Sequence, residues 1–391
     1  MARRIGIEVS LAVSEAAKLA NVDVIAAYPI TPQTHIVEHL SELVADGHLD
    51  AAFIPVESEH SAMSTCCGSA AAGARTFTAT SSQGLALMLE ICYIAPAMRL
   101  PIVMAVANRA LSAPISIWND HGDLMMSRDT GWIQTVAENG QEAFDLILHA
   151  FRVAEDHRVL LPVIVNLDGF TLTHVIEPIE ILDQEEVDRY LPPYKPKMRL
   201  DPERPLSMGP VGMPEVYTEA KKAQDEALKG AKPVILEAWQ EFADLFGRHY
   251  RPVETYLTEG AETLIVTMGS ISETAMTAVD QMRADGRKIG LVRLRLWRPF
   301  PFEELVAVLK TAKQIAVVDR ALALNGKGGP LAIEIKAALY DEPERPYIWN
   351  YVAGLGGRDV TVENFTEMAD GVEAAAADKL GSDYTIINVR E

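Results

Sequence analysis

The apolar residues of this chain come in short runs, each stopped by polar or turn-forming residues and each followed by a helical pattern. The strongest run is Pro101–Ala107, ended by Asn108 and Arg109. Val22–Tyr28, stopped by Pro29, and Thr76–Ala79, leading into the Ser81-Ser82-Gln83-Gly84 turn, are of the same type, as is Leu160–Val165, ended by Asn166–Gly169. Short buried strands alternating with helices specify a mainly parallel sheet covered by helices on both faces.

The chain has 391 residues, more than one hydrophobic core usually serves, so two domains are expected. Residues 1–185 hold the first group of strands. Residues 186–255 are different in texture: Pro192, Pro193, Pro196, Pro202, Pro205, Pro210 and Pro214 lie in a polar stretch that reads as a connecting arm on the surface. A helix is expected from Tyr217 to Gly230, ended by that glycine. Strand–helix alternation resumes over 256–391, with strands at Thr263–Ser270, Lys288–Leu294 and Ile315–Arg320. The alanine-rich tail from Gly371 predicts a peripheral helix, then a short strand over Tyr384–Val389.

Composition narrows the function. A formal charge of −20 and the lack of any basic stripe work against nucleic-acid binding. No apolar stretch near Met1 suits a signal peptide or a membrane span, so a cytoplasmic location is expected. The 3 cysteines, Cys66, Cys67 and Cys92, are too few for an all-cysteine iron–sulfur cluster and read as small buried hydrophobes.

Candidate chemistry sits at strand ends, where α/β sheets commonly hold ligands. Pro29-Ile30-Thr31-Pro32 is a stiff turn after the first run. Glu57 and Glu59 follow the apolar Phe53–Val56; acids are usually solvated, so a buried approach sets these apart. Arg109 ends the strongest strand and offers a planar fork suited to a carboxylate, or else an exposed charge at a domain rim. Asp120, His121 and Asp123 are close enough in sequence to suggest metal ligands. His35, His39 and His60 are expected to make ordinary polar contacts.

Taken together, Tyr28–Thr34, Glu57–Met63, Thr78–Gly84, Asn108–Leu111, Ile117–His121, Arg128–Trp132, Thr267–Ser270, Arg298–Phe300 and Gly354–Asp359 resemble, in order and over nearly the whole chain, the alpha subunits of the pyruvate:ferredoxin oxidoreductase family of 2-oxoacid oxidoreductases. The resemblance implies an N-terminal thiamine diphosphate-binding domain of pyrimidine type, plus a second α/β domain like the C-terminal domain of transketolase. It implies that Glu59 hydrogen-bonds the cofactor's aminopyrimidine, with Pro29, Ser82 and Gln83 beside it. Thr31 and Arg109 would hold the 2-oxoacid, and Asp120, His121 and Gly122 would belong to a loop lining or closing the site. No metal is expected on this chain. Mg2+ would sit with the diphosphate on a beta subunit, and [4Fe-4S] clusters on partner chains, including gamma- and delta-type subunits. Coenzyme A would take the acyl group, and ferredoxin or another acceptor the electrons.

Two departures from the family pattern bear on substrate. Gly122 stands where the family usually has glutamine, and Cys92–Pro96 partly replaces bulky aromatics, with Pro96 expected to end the helix early. Pyruvate is the expected substrate. A bulkier aromatic acid such as phenylglyoxylate, with NAD as a possible final acceptor, is the alternative that the freed volume suggests. Thr31 argues against oxalate, because the similar oxalate enzyme has arginine there. Asn325–Gly329 departs from the family run and is assigned no role. A non-catalytic assembly subunit and a transketolase-like enzyme without redox partners are the competing classes.

Overall fold

The structure is a computed structural model, and it describes residues 3–378, 380–381 and 383–390. Its first part runs β1 (Arg3–Glu8), α1 (Val9–Leu19), β2 (Val24–Ala27), α2 (Thr34–Ala45), β3 (Ala52–Pro55), α3 (Glu59–Ala72), β4 (Thr76–Thr80), α4 (Ser82–Cys92) and α5 (Ile94–Ala97). Then come β5 (Ile102–Asn108), α6 (Gly122–Ser127), β6 (Ile133–Val136), α7 (Gly140–Ala154), β7 (Val163–Asp168), β8 (Ile176–Ile181), α8 (Gln184–Tyr190) and α9 (Pro214–Phe246). The rest is β9 (Val253–Tyr256), β10 (Thr263–Thr267), α10 (Ile271–Ala284), β11 (Ile289–Leu294), β12 (Leu296–Arg298), α11 (Phe302–Leu309), β13 (Gln314–Asp319), α12 (Pro330–Ala338), β14 (Tyr347–Val352), α13 (Val362–Ala377) and β15 (Tyr384–Ile386).

The 7-stranded sheet has the order β12-β6-β7-β5-β4-β2-β3, and the 6-stranded sheet the order β15-β14-β13-β10-β11-β9. Pairing is parallel except at one edge of each, where β12 meets β6 and β9 meets β11 antiparallel. The central strand β5 shows why the first sheet needs two helical layers. Val103 and Ala105 pack on the side of α1 and α7, while Ile102, Met104 and Val106 pack on the side of α3 and α4. Alternate residues are thus buried on opposite faces, as a doubly covered strand requires. From β2 the chain steps outward to β3 and then returns to β4 on the other side of β2. That reversal opens a crevice at the C-terminal ends of β2 and β4, the position where open α/β sheets take ligands.

The arm helix differs from expectation. It runs unbroken from Pro214 to Phe246, through Gly230 and Pro233, and ends at Gly247 in a left-handed conformation. An interior glycine costs about 1 kcal/mol and an interior proline about 3 kcal/mol relative to alanine. Burial of Val234, Ile235, Trp239 and Phe242 against the first core outweighs this, at roughly 1.5–3 kcal/mol for each large apolar side chain. Pro96 also acts differently from expectation. The first helix stops at Cys92, and Pro96 lies inside the short α5 that follows. Proline cannot donate to the carbonyl four residues back, which is that of Cys92. The Trp132 indole N–H takes that place at 2.7 Å. The strand expected at Leu160 begins at Val163, and the one expected over 384–389 covers Tyr384–Ile386.

Among the contacts that join the sheets, two bear on the site. The short β12 crosses back to extend the first sheet. The other is Asp168, fully buried at the end of β7. Its carboxylate accepts from the backbone N–H and hydroxyl of Ser270 (2.7 and 2.5 Å) and from Arg320 Nη1 (2.8 Å), and it lies 2.8 Å from His121 Nε2. Burial alone would raise this carboxyl. The charges of Arg320 and His121, with hydrogen bonds from His121 and Ser270, outweigh burial and hold it well below the usual carboxylate range. Asp168→Ala would leave a buried arginine without its counter-charge. We expect this variant to lose about 3–5 kcal/mol of unfolding free energy in urea titrations. A loss under about 1 kcal/mol would show that the junction rests on other contacts.

Candidate active site

Three turns meet at the crevice, each following a parallel strand of the first sheet. The turn after β2 carries Pro29 and Thr31, both exposed. Gln33, fully buried, stitches it to the neighbouring strand: its Nε2 donates to the Ala79 carbonyl (2.7 Å) and its Oε1 accepts from the Ile30 N–H (3.1 Å). The turn after β4 starts α4 with Ser82 and Gln83. Ser82 has a φ of 46°, a left-handed conformation unusual for a side-chain-bearing residue. It is held there by its hydroxyl on the Ala110 carbonyl (2.7 Å) and its N–H on Asp123 Oδ2 (2.9 Å).

The turn after β5 carries Arg109, mostly buried. Its Nη1 donates to the Thr31 carbonyl (2.9 Å) and its Nε to the Ser116 carbonyl (2.8 Å). The other terminal nitrogen has no hydrogen-bond partner among the described residues, which leaves one arm of the fork for a ligand. Burial lowers the guanidinium pKa from its ordinary value, and the nearby Asp123 opposes that shift.

Asp123 is the anchor of this arrangement. Fully buried at the start of α6, it accepts from the backbone N–H of Ser82 and of Arg109 (2.9 and 3.0 Å) and from Asn108 Nδ2 (2.8 Å). Burial pushes its carboxyl up to about 6 against the pull of these donors. These donors favour its ionised form, which can accept from all of them.

Glu59 begins α3 and is buried, with no side-chain hydrogen bond or ion pair to any described residue. At the turn into α4 the Thr80 and Ser81 hydroxyls are buried with no partner among the described residues. A Cβ at Gly84 would lie 2.7 Å from Glu59 Oε1 and 2.5 Å from Thr80 Oγ1, so only glycine lets α4 approach this carboxylate. Unpartnered buried polar groups are rare and usually mark a place for a ligand. A carboxylate with two hydroxyl-bearing neighbours suits an aminopyrimidine, which offers N–H donors and ring-nitrogen acceptors.

Asp120 and His121 serve the junction between the sheets. Asp120 accepts from the N–H groups of Gly122 (2.9 Å) and Gly356 (3.2 Å), and burial raises its pKa. The His121 side chain faces Asp168, and its N–H donates to the Arg320 carbonyl (2.8 Å). Asp120, His121 and Asp123 thus turn into three separate hydrogen-bond networks. A Cβ at Gly122 would meet Asp120 and Leu111. His39 lies 3.1 Å from Glu15, and His60 lies 3.5 Å from Glu90. Burial pushes the Cys67 and Cys92 thiols up to about 12 and Cys66 higher still, which keeps all of them from thiolate chemistry. Sequence reasoning missed the roles of Asp123, Thr80 and Gly84. Thr80 and Gly84 lie within a motif of the resemblance, whereas the sequence around Asp123 suggests a metal ligand or a loop residue, and only its distant N–H donors mark it as an anchor.

A crevice at the strand ends of one parallel sheet, lined by polar groups that have no partner among the described residues and joined to a second α/β sheet, is built to receive a ligand. The family described as "Pyruvate flavodoxin/ferredoxin oxidoreductase, thiamine diP-bdg" matches residues 15–239, and "Pyruvate:ferredoxin oxidoreductase core domain II" matches residues 261–365. The chain is 52% identical over 370 residues to the pyruvate synthase subunit PorA of Methanocaldococcus jannaschii, covering 94% of each. It is 46% identical over 389 residues to PorA of Thermotoga maritima, covering 99% of this chain and 98% of that one. It is 45% identical over 374 residues to the ketoisovalerate oxidoreductase subunit VorA of Pyrococcus horikoshii, covering 94% of each. Among solved structures, 2-oxoglutarate:ferredoxin oxidoreductase from Magnetococcus marinus shares the fold, with a TM-score of 0.71 and 20% identity over 95% of this chain and 65% of that chain. The chain belongs to the pyruvate:ferredoxin oxidoreductase family, as an alpha subunit.

Asp123→Ala would strand three buried N–H donors at the turns that carry Ser82 and Arg109. We expect a loss of at least about 2 kcal/mol in chemical denaturation, since each unsatisfied buried donor costs about 1–3 kcal/mol. Wild-type stability would show that the clamp is not needed.

Proposed function

We propose that this chain serves the coenzyme A-dependent oxidative decarboxylation of pyruvate, giving acyl-coenzyme A and carbon dioxide while electrons pass through iron–sulfur partner chains to ferredoxin. The observation that carries it is a buried Glu59 with no side-chain partner among the described residues, in a fold whose Arg109 keeps one guanidinium arm free beside the Thr31 turn. When bound, thiamine diphosphate supplies the nucleophilic carbon and the electron sink for decarboxylation. Glu59 would hold a proton at the pyrimidine ring. Arg109 would orient the substrate carboxylate, and the Thr31 hydroxyl would donate to a carbonyl or carboxylate oxygen. Pro29, Ser82 and Gln83 would shape the pyrimidine side of the pocket. Asp120, His121 and Gly122 would keep the covering loop in place from the second sheet.

In this reading residues 1–185 bind pyrimidine and substrate, 186–255 form the connecting arm, and 256–391 form the transketolase-like part. The diphosphate, Mg2+ and [4Fe-4S] clusters belong to partners: a beta subunit and gamma- and delta-type subunits. The two turns that carry Thr31 and Arg109 expose Tyr28, Ile115, Ile117 and Trp118, apolar surface suited to burial against such a partner. No helix among the described residues is long and apolar enough to cross a membrane.

The relatives named pyruvate synthase favour pyruvate. So does the position of Gly122, whose missing side chain would point at Asp120 and Leu111 within the loop. Specificity constants for pyruvate, 2-oxobutyrate, 2-oxoisovalerate and phenylglyoxylate, measured with coenzyme A and a low-potential dye, test this directly. Pyruvate should lead by more than about tenfold, or about 1.4 kcal/mol. A lead for phenylglyoxylate would overturn the assignment. The same assay with ferredoxin or NAD in place of the dye identifies the acceptor.

Glu59→Gln in the assembled complex should lower turnover by roughly 10²–10⁴-fold while leaving assembly intact. Wild-type specific activity would remove Glu59 from the cofactor site. Arg109→Ala should cost roughly 2–5 kcal/mol in kcat/KM for every 2-oxoacid. Unchanged constants would refute the carboxylate contact.

A further inference from the structure

Outside the thiamine half-site, three residues distant in sequence converge. Glu8 ends β1, His35 lies in the first turn of α2, and His174 lies in the loop between β7 and β8. One potential ligand atom from each lies within 4.8 Å of the other two, and all three residues are half-buried. His35 Nδ1 is 2.7 Å from Glu8 Oε1, and the two imidazole rings stand 4.5 Å apart at 31°. We propose that Glu8, His35 and His174 bind a divalent transition-metal ion of the zinc type, with water completing its shell.

The donor set fits such an ion. Two imidazoles and one carboxylate suit zinc and its late first-row neighbours and are poor ligands for magnesium or calcium. With metal–ligand distances near 2.0–2.2 Å, tetrahedral ligand atoms stand about 3.4 Å apart. The Glu8–His35 contact at 2.7 Å is shorter than that spacing, and no pair of the three ligand atoms exceeds 4.8 Å. The ion would replace the direct contact between Glu8 and His35.

The surroundings orient the histidines as an outer shell should. His174 Nδ1 is 2.8 Å from Thr173 Oγ1, which leaves Nε2 for an ion. Thr173 Oγ1 is itself fixed by accepting the Phe170 N–H at 2.9 Å. The His174 ring packs on Phe170 at 4.5 Å, and Phe170 packs on Trp118 at 4.8 Å. A hydrogen bond between Glu8 and His35 accounts for those two residues alone; an ion also accounts for His174 facing His35. Bound there, it would tie the start of α2, one turn beyond Thr31, to the end of β1 and the loop after β7. The site is independent of the thiamine reading.

The test uses the full-length chain, stripped with a chelator, given a small excess of zinc, desalted and assayed by mass spectrometry for metal. The wild-type chain should retain about one zinc, and Glu8→Gln, His35→Gln and His174→Gln should each weaken binding by roughly tenfold or more. Circular dichroism identifies any variant that fails to fold. Anomalous scattering at the zinc edge from wild-type crystals, which needs no variant, should then place the ion between the three side chains. No zinc retained by the wild-type chain, equal retention by the folded variants, or an anomalous peak elsewhere would overturn the proposal.

Discussion

Asp168 and Asp123 are buried carboxylates that hold the loop after β5, and the geometry of the crevice depends on their being satisfied. Asp168 gathers Ser270, Arg320 and His121, fixing the second sheet against the C-terminal end of the first. Asp123 gathers the N–H groups of Ser82 and Arg109, fixing two strand-end turns against each other. A buried charge without such partners would be costly, so each carboxylate specifies its surroundings closely. Between them lies the segment from Arg109 to Gly122, whose chain is anchored at both ends and exposed in the middle.

Much of this was legible in the sequence because it depends on local pattern. Strand ends are marked by a change from apolar to polar residues. The turns with Thr31, Ser82 and Arg109 could therefore be located, and the parallel sheet arranges them around one crevice. Other features depend on partners far along the chain. The long arm helix passes Gly230 and Pro233 because Trp239 and Phe242 are buried by another helix, which local propensity does not register. The three-residue β12 is defined only by its pairing with β6. Acidic residues are usually solvated, so the anchoring roles of Asp123 and Asp168 appear only when their distant N–H donors are known. Glu59 is the reverse case: resemblance to a cofactor-binding acid singled it out, and its side chain is buried with no partner among the described residues.

The crevice presents polar groups that the described residues leave unsatisfied. Glu59, Thr80 and Ser81 present polar groups with no partner among the described residues, and Arg109 is engaged through part of its guanidinium. The most direct test of the account measures pyruvate-dependent reduction of a low-potential dye, with coenzyme A, thiamine diphosphate and Mg2+ present. The purified chain would be assayed first alone and then after reconstitution with its partner subunits. The account predicts no turnover by the chain alone and full turnover in the complex. Full turnover by the isolated chain would contradict it.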